Sequence, residues 1–229
     1  MNMGIIAASR LRGTGINPLF QNSEANYKCD GTTSGVLLDS RNSFNGELNG
    51  GITQGVTGFI NDAVESDGSS LSYLSMPNNT FNENNFSLSF WMYYSNSLDF
   101  NRVIVRKNNG GFVINIEDTF RVTFFDDFSG KLTADSDLIL DSYNQIIVQR
   151  LNNNIKVYTN NVLKIDGNKN YSTAQDSDLF LGVILDGSSG NVRENSSNTF
   201  IVDEIDIRKG QYTQQQRDEL YNNGNGTTI

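Results

Sequence analysis

Histidine is absent from these 229 residues, and cysteine, tryptophan and proline number only 1, 1 and 2. Without an imidazole the chain has no Ser-His-Asp or Cys-His nucleophile and none of the usual catalytic zinc sites. One cysteine, Cys29, excludes a disulfide framework and a cysteine-cage metal within the chain. No stretch approaches the roughly 20 consecutive apolar residues of a membrane-spanning helix. Cations are in deficit too: 17 Lys and Arg face 26 Asp and Glu, for a net charge of −9. Nucleic acid and anionic membrane surfaces are therefore not expected as partners, because phosphate binding needs clustered Lys and Arg.

What the chain has in abundance is asparagine, 32 residues, and glycine, 21. Apolar residues make up 37%; with the glycines added, the composition is that of a globular domain and not of a disordered chain. The first residues carry no basic region ahead of an apolar core. Ile5-Ile6-Ala7-Ala8 is short, and Arg10 and Arg12 follow it, the reverse of a Sec signal peptide. The expectation is a protein made and folded in a cytoplasm. The five Asn-x-Ser/Thr sequons, at Asn78, Asn85, Asn170, Asn195 and Asn225, then read as chance in an Asn- and Ser-rich chain.

Residues 1–29 show no clear period and read as an N-terminal arm, with Ile5, Ile6, Leu11, Ile16, Leu19 and Phe20 as its apolar contacts. From Asp30 to residue 229 the pattern is one domain of short strands punctuated by Gly, Asn, Ser and Asp. Phe86, Leu88, Phe90 and Met92 alternate on one strand face. Strands also read at 102–106, 112–116, 120–125, 145–151, 155–159, 162–165, 179–183 and 200–207. Asn152-Asn153-Asn154 and Asn160-Asn161 suit tight hairpin turns, since asparagine tolerates positive φ. One helix is predicted: Thr213 and Gln216 form a capping box, Leu220 and Tyr221 supply apolar contact, and Gly224 ends it. Many short strands with almost no helix predict an all-β antiparallel sandwich.

Several segments, in order, resemble laminin-G-like, concanavalin A-like lectin/glucanase domains. They are Leu38 to Gly51, Asn61 to Ser70, Asn85-Phe86-Ser87-Leu88-Ser89-Phe90-Trp91-Met92, and Val202-Asp203-Glu204-Ile205-Asp206-Ile207 followed by Leu220-Tyr221-Asn222-Asn223-Gly224. The family's central Trp-His-His strand here reads Tyr143-Asn144-Gln145-Ile146-Ile147-Val148, without histidine. The resemblance implies a two-sheet jelly-roll sandwich that often binds a glycan or a protein and often holds a structural Ca2+. It implies Asp39, Asn42 and Asn45, closed by Asp203, as a calcium cage; against this stands the ordinary use of Asx residues in turns.

Glu204-Ile205-Asp206 invites comparison with glycosidases on this fold that use Glu-x-Asp-x-x-Glu, but the third position is Lys209. The pair reads as polar outer-face residues alternating with core Ile205 and Ile207, and the chain is not expected to be an enzyme. Aromatic rings stack on the apolar faces of sugars. The candidate ligand-binding residues are Tyr73 and Phe128 in loops, with Trp91 and Tyr93 on the face opposite Phe90, although a single Trp usually packs structurally. Cys29 reads as an ordinary residue.

The function expected from the sequence is a non-enzymatic virion structural protein, of bacteriophage type: a capsid decoration, head fibre or tail component. It is assembled in a host cytoplasm, anchored to other virion proteins through the arm, and displayed as a homo-oligomer for weak multivalent adhesion to surface glycans. The alternatives are a stand-alone carbohydrate-binding module and, last, a glycoside hydrolase.

Overall fold

The computed structural model describes residues 17–69, 71–77, 85–94, 102–107, 112–117, 121–126, 130–169, 178–182 and 199–227. The strands in the first half of the chain are β1 (Ser23–Tyr27), β2 (Val36–Leu37), β3 (Gly46–Asn49), β4 (Ile52–Thr57), β5 (Asp62–Ser66), β6 (Tyr73–Met76), β7 (Asn85–Tyr94) and β8 (Arg102–Lys107). They continue as β9 (Phe112–Glu117), β10 (Arg121–Asp126), β11 (Gly130–Asp135), β12 (Ser142–Leu151), β13 (Asn154–Thr159), β14 (Val162–Asn168), β15 (Leu179–Leu181) and β16 (Ile201–Lys209). Among the described residues they make two antiparallel sheets. The first runs β14-β13-β12-β7-β16-β5-β4, with β1 also paired to β16; the second runs β11-β10-β9-β8-β15-β6-β3-β2.

The alternation that predicts β7 decides its burial. Phe86, Leu88, Phe90 and Met92 enter the core between the sheets, beside Ile146 and Val148 of β12 and Leu74 and Met76 of β6. Each such side chain, taken out of water, contributes about 1.5–3 kcal/mol. The Asn160-Asn161 turn has both residues at positive φ, 48° and 62°, as a type I′ hairpin requires, whereas in the preceding turn only Asn152 does, at 54°. Strands β1 to β6 and β11 are absent from the sequence reading. They are short, several are polar, and the first of them pairs with a segment about 180 residues away.

A second apolar cluster lies on the outer face of the first sheet: Leu19, Phe20, Ile147, Tyr158, Tyr212 and Leu220. Asn17 caps the 3-10 turn Pro18–Phe20 through its side chain, and proline at the first position suits such a turn. Two arginines hold the far end of the turn, Arg208 Nη1 donating to the Leu19 carbonyl at 3.2 Å and Arg41 Nη1 to the Phe20 carbonyl at 3.0 Å. The expected arm boundary at residue 29 is thereby corrected. Leu19 and Phe20 belong to the domain, and residues 23–27 are a sheet strand, because their burial depends on partners far along the chain. Ile5, Ile6, Leu11 and Ile16 lie outside the described residues.

Helix α1 (Gln214–Tyr221) begins as its sequence predicts, with both halves of the Thr213–Gln216 capping box formed, but Asn222 in the left-handed region caps its end, ahead of Gly224. Thr213→Ala is expected to cost about 1 kcal/mol, read as a lower midpoint in urea unfolding.

Candidate functional site

The loop after β2 is built around one carboxylate. Asp39 is buried, and its two oxygens accept from four backbone N–H groups: Asn26 at 2.8 Å, Arg41 at 3.1 Å, and Ser43 and Phe44 at 3.0 Å each. Asn45 Oδ1 accepts from the Asp39 N–H at 3.0 Å, and Asn42 turns the chain at φ 57°. Asp203, the expected fourth ligand, is fully buried, and its Oδ2 accepts from the Ile60 N–H at 2.8 Å in the turn after β4. Both oxygens of Asp39, Oδ1 of Asn45 and Oδ2 of Asp203 are thus directed at N–H groups, whose positive ends oppose a cation. The calcium cage expected from Asp39, Asn42, Asn45 and Asp203 does not fit this donor geometry; the Asx residues of the loop do what its turns require. Among the described residues no group of three or more Cys, Asp or Glu is placed to hold a metal ion.

Beside this loop opens a cavity of about 290 Å3, lined among others by Lys28, Asp30, Leu38, Ser40, Asn42 and Gln54. That volume is close to the lower end of ordinary small-molecule sites, about 300 Å3. Leu38, 44% exposed, offers an apolar wall. Lys28, Ser40, Asn42 and Gln54 also line the cavity; Gln54 Nε2 donates to the Val36 carbonyl at 3.3 Å. Asp30 accepts from the Asp62 N–H at 3.1 Å, which fixes the carboxylate in place. Buried Cys29 lies behind, its thiol pushed up by desolvation and then by nearby Asp203 and Glu204. Sequence reasoning missed Lys28, Asp30, Ser40 and Gln54. No local motif joins them, since they come from the end of β1, the loop after β2, and β4.

The aromatic candidates do not form one platform. Trp91 is stacked on Phe59 at 3.8 Å between ring centroids, lies parallel to Tyr221 at 6.0 Å, and at 3% exposed is enclosed. Trp91 as a sugar-binding residue is therefore corrected to structural packing. Gly226, at φ 65°, lies so close that a Cβ would stand 2.6 Å from the Phe59 ring. Tyr93 meets Tyr143 edge-on at 5.3 Å. Tyr73 opens β6 instead of lying in a loop, and its ring meets Phe180 edge-on at 5.8 Å. It alternates with core Leu74 on the second sheet, on the opposite side of the sandwich from Trp91 and Tyr93. Phe128 lies outside the described residues.

The carboxylates of β16 are not exposed to a cleft. A bulge between Asp203 and Asp206, with Glu204 at φ 49°, breaks the expected two-residue alternation. Ile205 and Ile207 do enter the core, and Asp206 faces outward, but it is buried between neighbouring β1 and the segment leading into α1. Its oxygens accept from the Asn26 amide and the Tyr212 hydroxyl. Lys209, in the third-acid position, pairs with Glu24 at 3.5 Å.

A family model described as the concanavalin A-like lectin/glucanases superfamily matches residues 67–216. No curated protein matches the chain by sequence. Among solved structures, the receptor-binding domain of botulinum neurotoxin type G superposes with a TM-score of 0.65 and 14% identity, over 89% of this chain and 51% of that one. The chain thus spans about half the length of that toxin domain. Domain 4 of AbnA, a GH43 extracellular arabinanase from Geobacillus stearothermophilus, in complex with arabinotriose, gives 0.63 and 19% identity, over 86% of this chain and 96% of that one. A Trypanosoma rangeli sialidase gives 0.67 at 7% identity, over 90% of this chain and 34% of that one. At these identities the likeness is one of fold.

Proposed function

The chain belongs to the concanavalin A-like lectin/glucanase superfamily, and from that footing we propose that it is a non-enzymatic module that holds a saccharide in the cavity beside the Asp39 loop. The observation that carries this reading is the cavity itself: an apolar Leu38 wall ringed by Lys28, Ser40, Asn42 and Gln54. An apolar surface with a few placed polar groups is the usual construction of a small-ligand site. The four N–H bonds to Asp39 hold the loop in one conformation, which lowers the entropic cost of binding. The arabinotriose complex of the arabinanase domain, a neighbour in fold, supports the choice of ligand class. Burial of Asp206 within its own hydrogen bonds supports the non-catalytic reading, as does the lack of histidine.

A glycan array on the full chain, followed by calorimetry on the best ligand, tests this reading. Asn42→Gly removes the amide and suits the positive φ; Gln54→Ala removes the second amide. Each is expected to weaken binding by about tenfold, the equivalent of one hydrogen bond; Asn42→Gly keeps thermal stability, whereas Gln54→Ala also loses the bond to the Val36 carbonyl and lowers it slightly. Unchanged affinity in both variants overturns the assignment.

The same reading extends to display. The module is a structural component of a virus particle of bacteriophage type, carried in many copies by attachment to other particle proteins, so that weak sites add by avidity. Its support is the arginine-held turn at Pro18–Phe20, which gives residues 1–16 a rigid point of attachment. Light scattering on the full chain and a chain starting at residue 17 tests self-association: a smaller assembly after removal supports attachment through that segment, and identical assemblies count against it.

A further inference from the structure

We infer that the turn joining β12 to β13 is a second saccharide-binding surface, one that takes an uncharged glycan chain. The inference rests on the reading of the domain as a glycan-binding module. An open groove of about 530 Å3 is lined by Leu151, Asn152, Asn153, Asn154 and Asn168. Strand register separates it from the cavity beside Asp39. Leu151 pairs with Asn85, and Lys209 with Phe86, at one end of the sheet, whereas Tyr27 pairs with Ile205 toward the other.

Three of the four backbone groups of Asn152 and Asn153 are engaged. Asn85 Oδ1 accepts from the Asn152 N–H at 2.9 Å, Arg150 Nε donates to the Asn152 carbonyl, and the Lys169 N–H donates to the Asn153 carbonyl at 2.7 Å. Turn geometry accounts for Asn152, at φ 54°, and the Asn154 amide donates to Asp166 at 2.8 Å. Nothing in the fold among the described residues accounts for the side-chain amides of Asn153 and Asn168. Both are exposed, beside a Leu151 side chain that is 45% exposed.

This combination selects a chemistry. The lining holds no charged residue, so neither a polyanion nor a divalent cation is favoured there. An extended peptide would need a run of free backbone groups to pair with, and three of the four at Asn152 and Asn153 are already engaged. Side-chain amides both donate and accept, which matches the paired hydroxyls of a neutral sugar, and the leucine takes the sugar's apolar face. The held turn confines the ordering cost to the side chains themselves.

The test is the mobility of the full chain in native gels cast with linear arabinan, dextran or galactomannan. Wild type is expected to be retarded by at least one, and Asn153→Ala/Asn168→Ala to bind that polymer roughly tenfold more weakly. Unchanged urea unfolding of the double variant shows that the fold is intact. Retardation that survives in Asn42→Gly but not in the double variant supports the groove. Loss only in Asn42→Gly overturns the groove and leaves the cavity reading standing. Absence of retardation in wild type overturns the groove for neutral polymers, and the array result then decides the cavity separately.

Discussion

Asp206→Ala is expected to destabilise the protein by about 3–5 kcal/mol, the cost of removing one partner from a buried charged network. Asp206 is 1% exposed and accepts from Asn26 of β1 and from Tyr212, just ahead of α1. Arg208 lies over the Tyr212 ring at 4.5 Å and donates to Leu19. Without the carboxylate, the Asn26 amide and the Tyr212 hydroxyl lose their acceptor, and Arg208 loses a favourable charge interaction. The Pro18–Phe20 turn, β1 and α1 all meet at this group, so the substitution loosens three elements at once. Urea unfolding measures the loss. A cost below about 1 kcal/mol would show that the outer-face elements are held by their apolar cluster alone.

The second large effect is a dependence of stability on pH carried by Asp203. Its pKa is pushed up to about 7, first by desolvation, against the hydrogen bonds from Ile60 and Glu204. Oδ1 has no hydrogen-bond partner among the described residues. In the unfolded chain this carboxyl titrates near 4, so the folded state binds the extra proton between about pH 4 and pH 7. The stabilisation is complete below the unfolded value and is lost as pH rises through the folded one. Stability is therefore expected to fall by about 2–3 kcal/mol between pH 5 and pH 8 on account of this group alone. Asp206, raised to about 6 mainly by desolvation, adds a smaller fall in the same direction. With no histidine in the chain, few other groups titrate in that window. Asp67 and Asp218, both held low by hydrogen bonds, change charge at more acid pH. Asp203→Asn keeps an acceptor for the Ile60 N–H and removes the titration. It is expected to match wild type at pH 5, exceed it at pH 8, and lose most of the slope. Parallel slopes for the two proteins would refute the raised pKa.

Much of this fold is legible wherever the physical cause is local. Alternation in β7 needs only neighbouring residues, and the Thr213–Gln216 box needs four. The Asn160-Asn161 turn follows from the tolerance of asparagine for positive φ. Of the polar pair beside Ile205 and Ile207, Asp206 points outward, as alternation predicts. What alternation cannot carry is an insertion in the strand: the bulge at Glu204 and the cover over Asp206 arise from pairing with β7 and β1. The candidate cavity is illegible for the same reason. Lys28, Ser40 and Gln54 acquire a common surface only after β1, the Asp39 loop and β4 are brought together.

By itself the sequence determined that these 229 residues hold no imidazole, and it determined the two-sheet class, the core faces of the central strands and the start of helix α1. Each follows from composition or from contacts a few residues apart. Only the tertiary structure decided that Trp91 is enclosed, that Asp39 organises its loop through backbone N–H groups, and that Leu19 and Phe20 belong to the domain. Burial and donor geometry at those positions are set by residues far away in the chain, which neither spacing nor periodicity records.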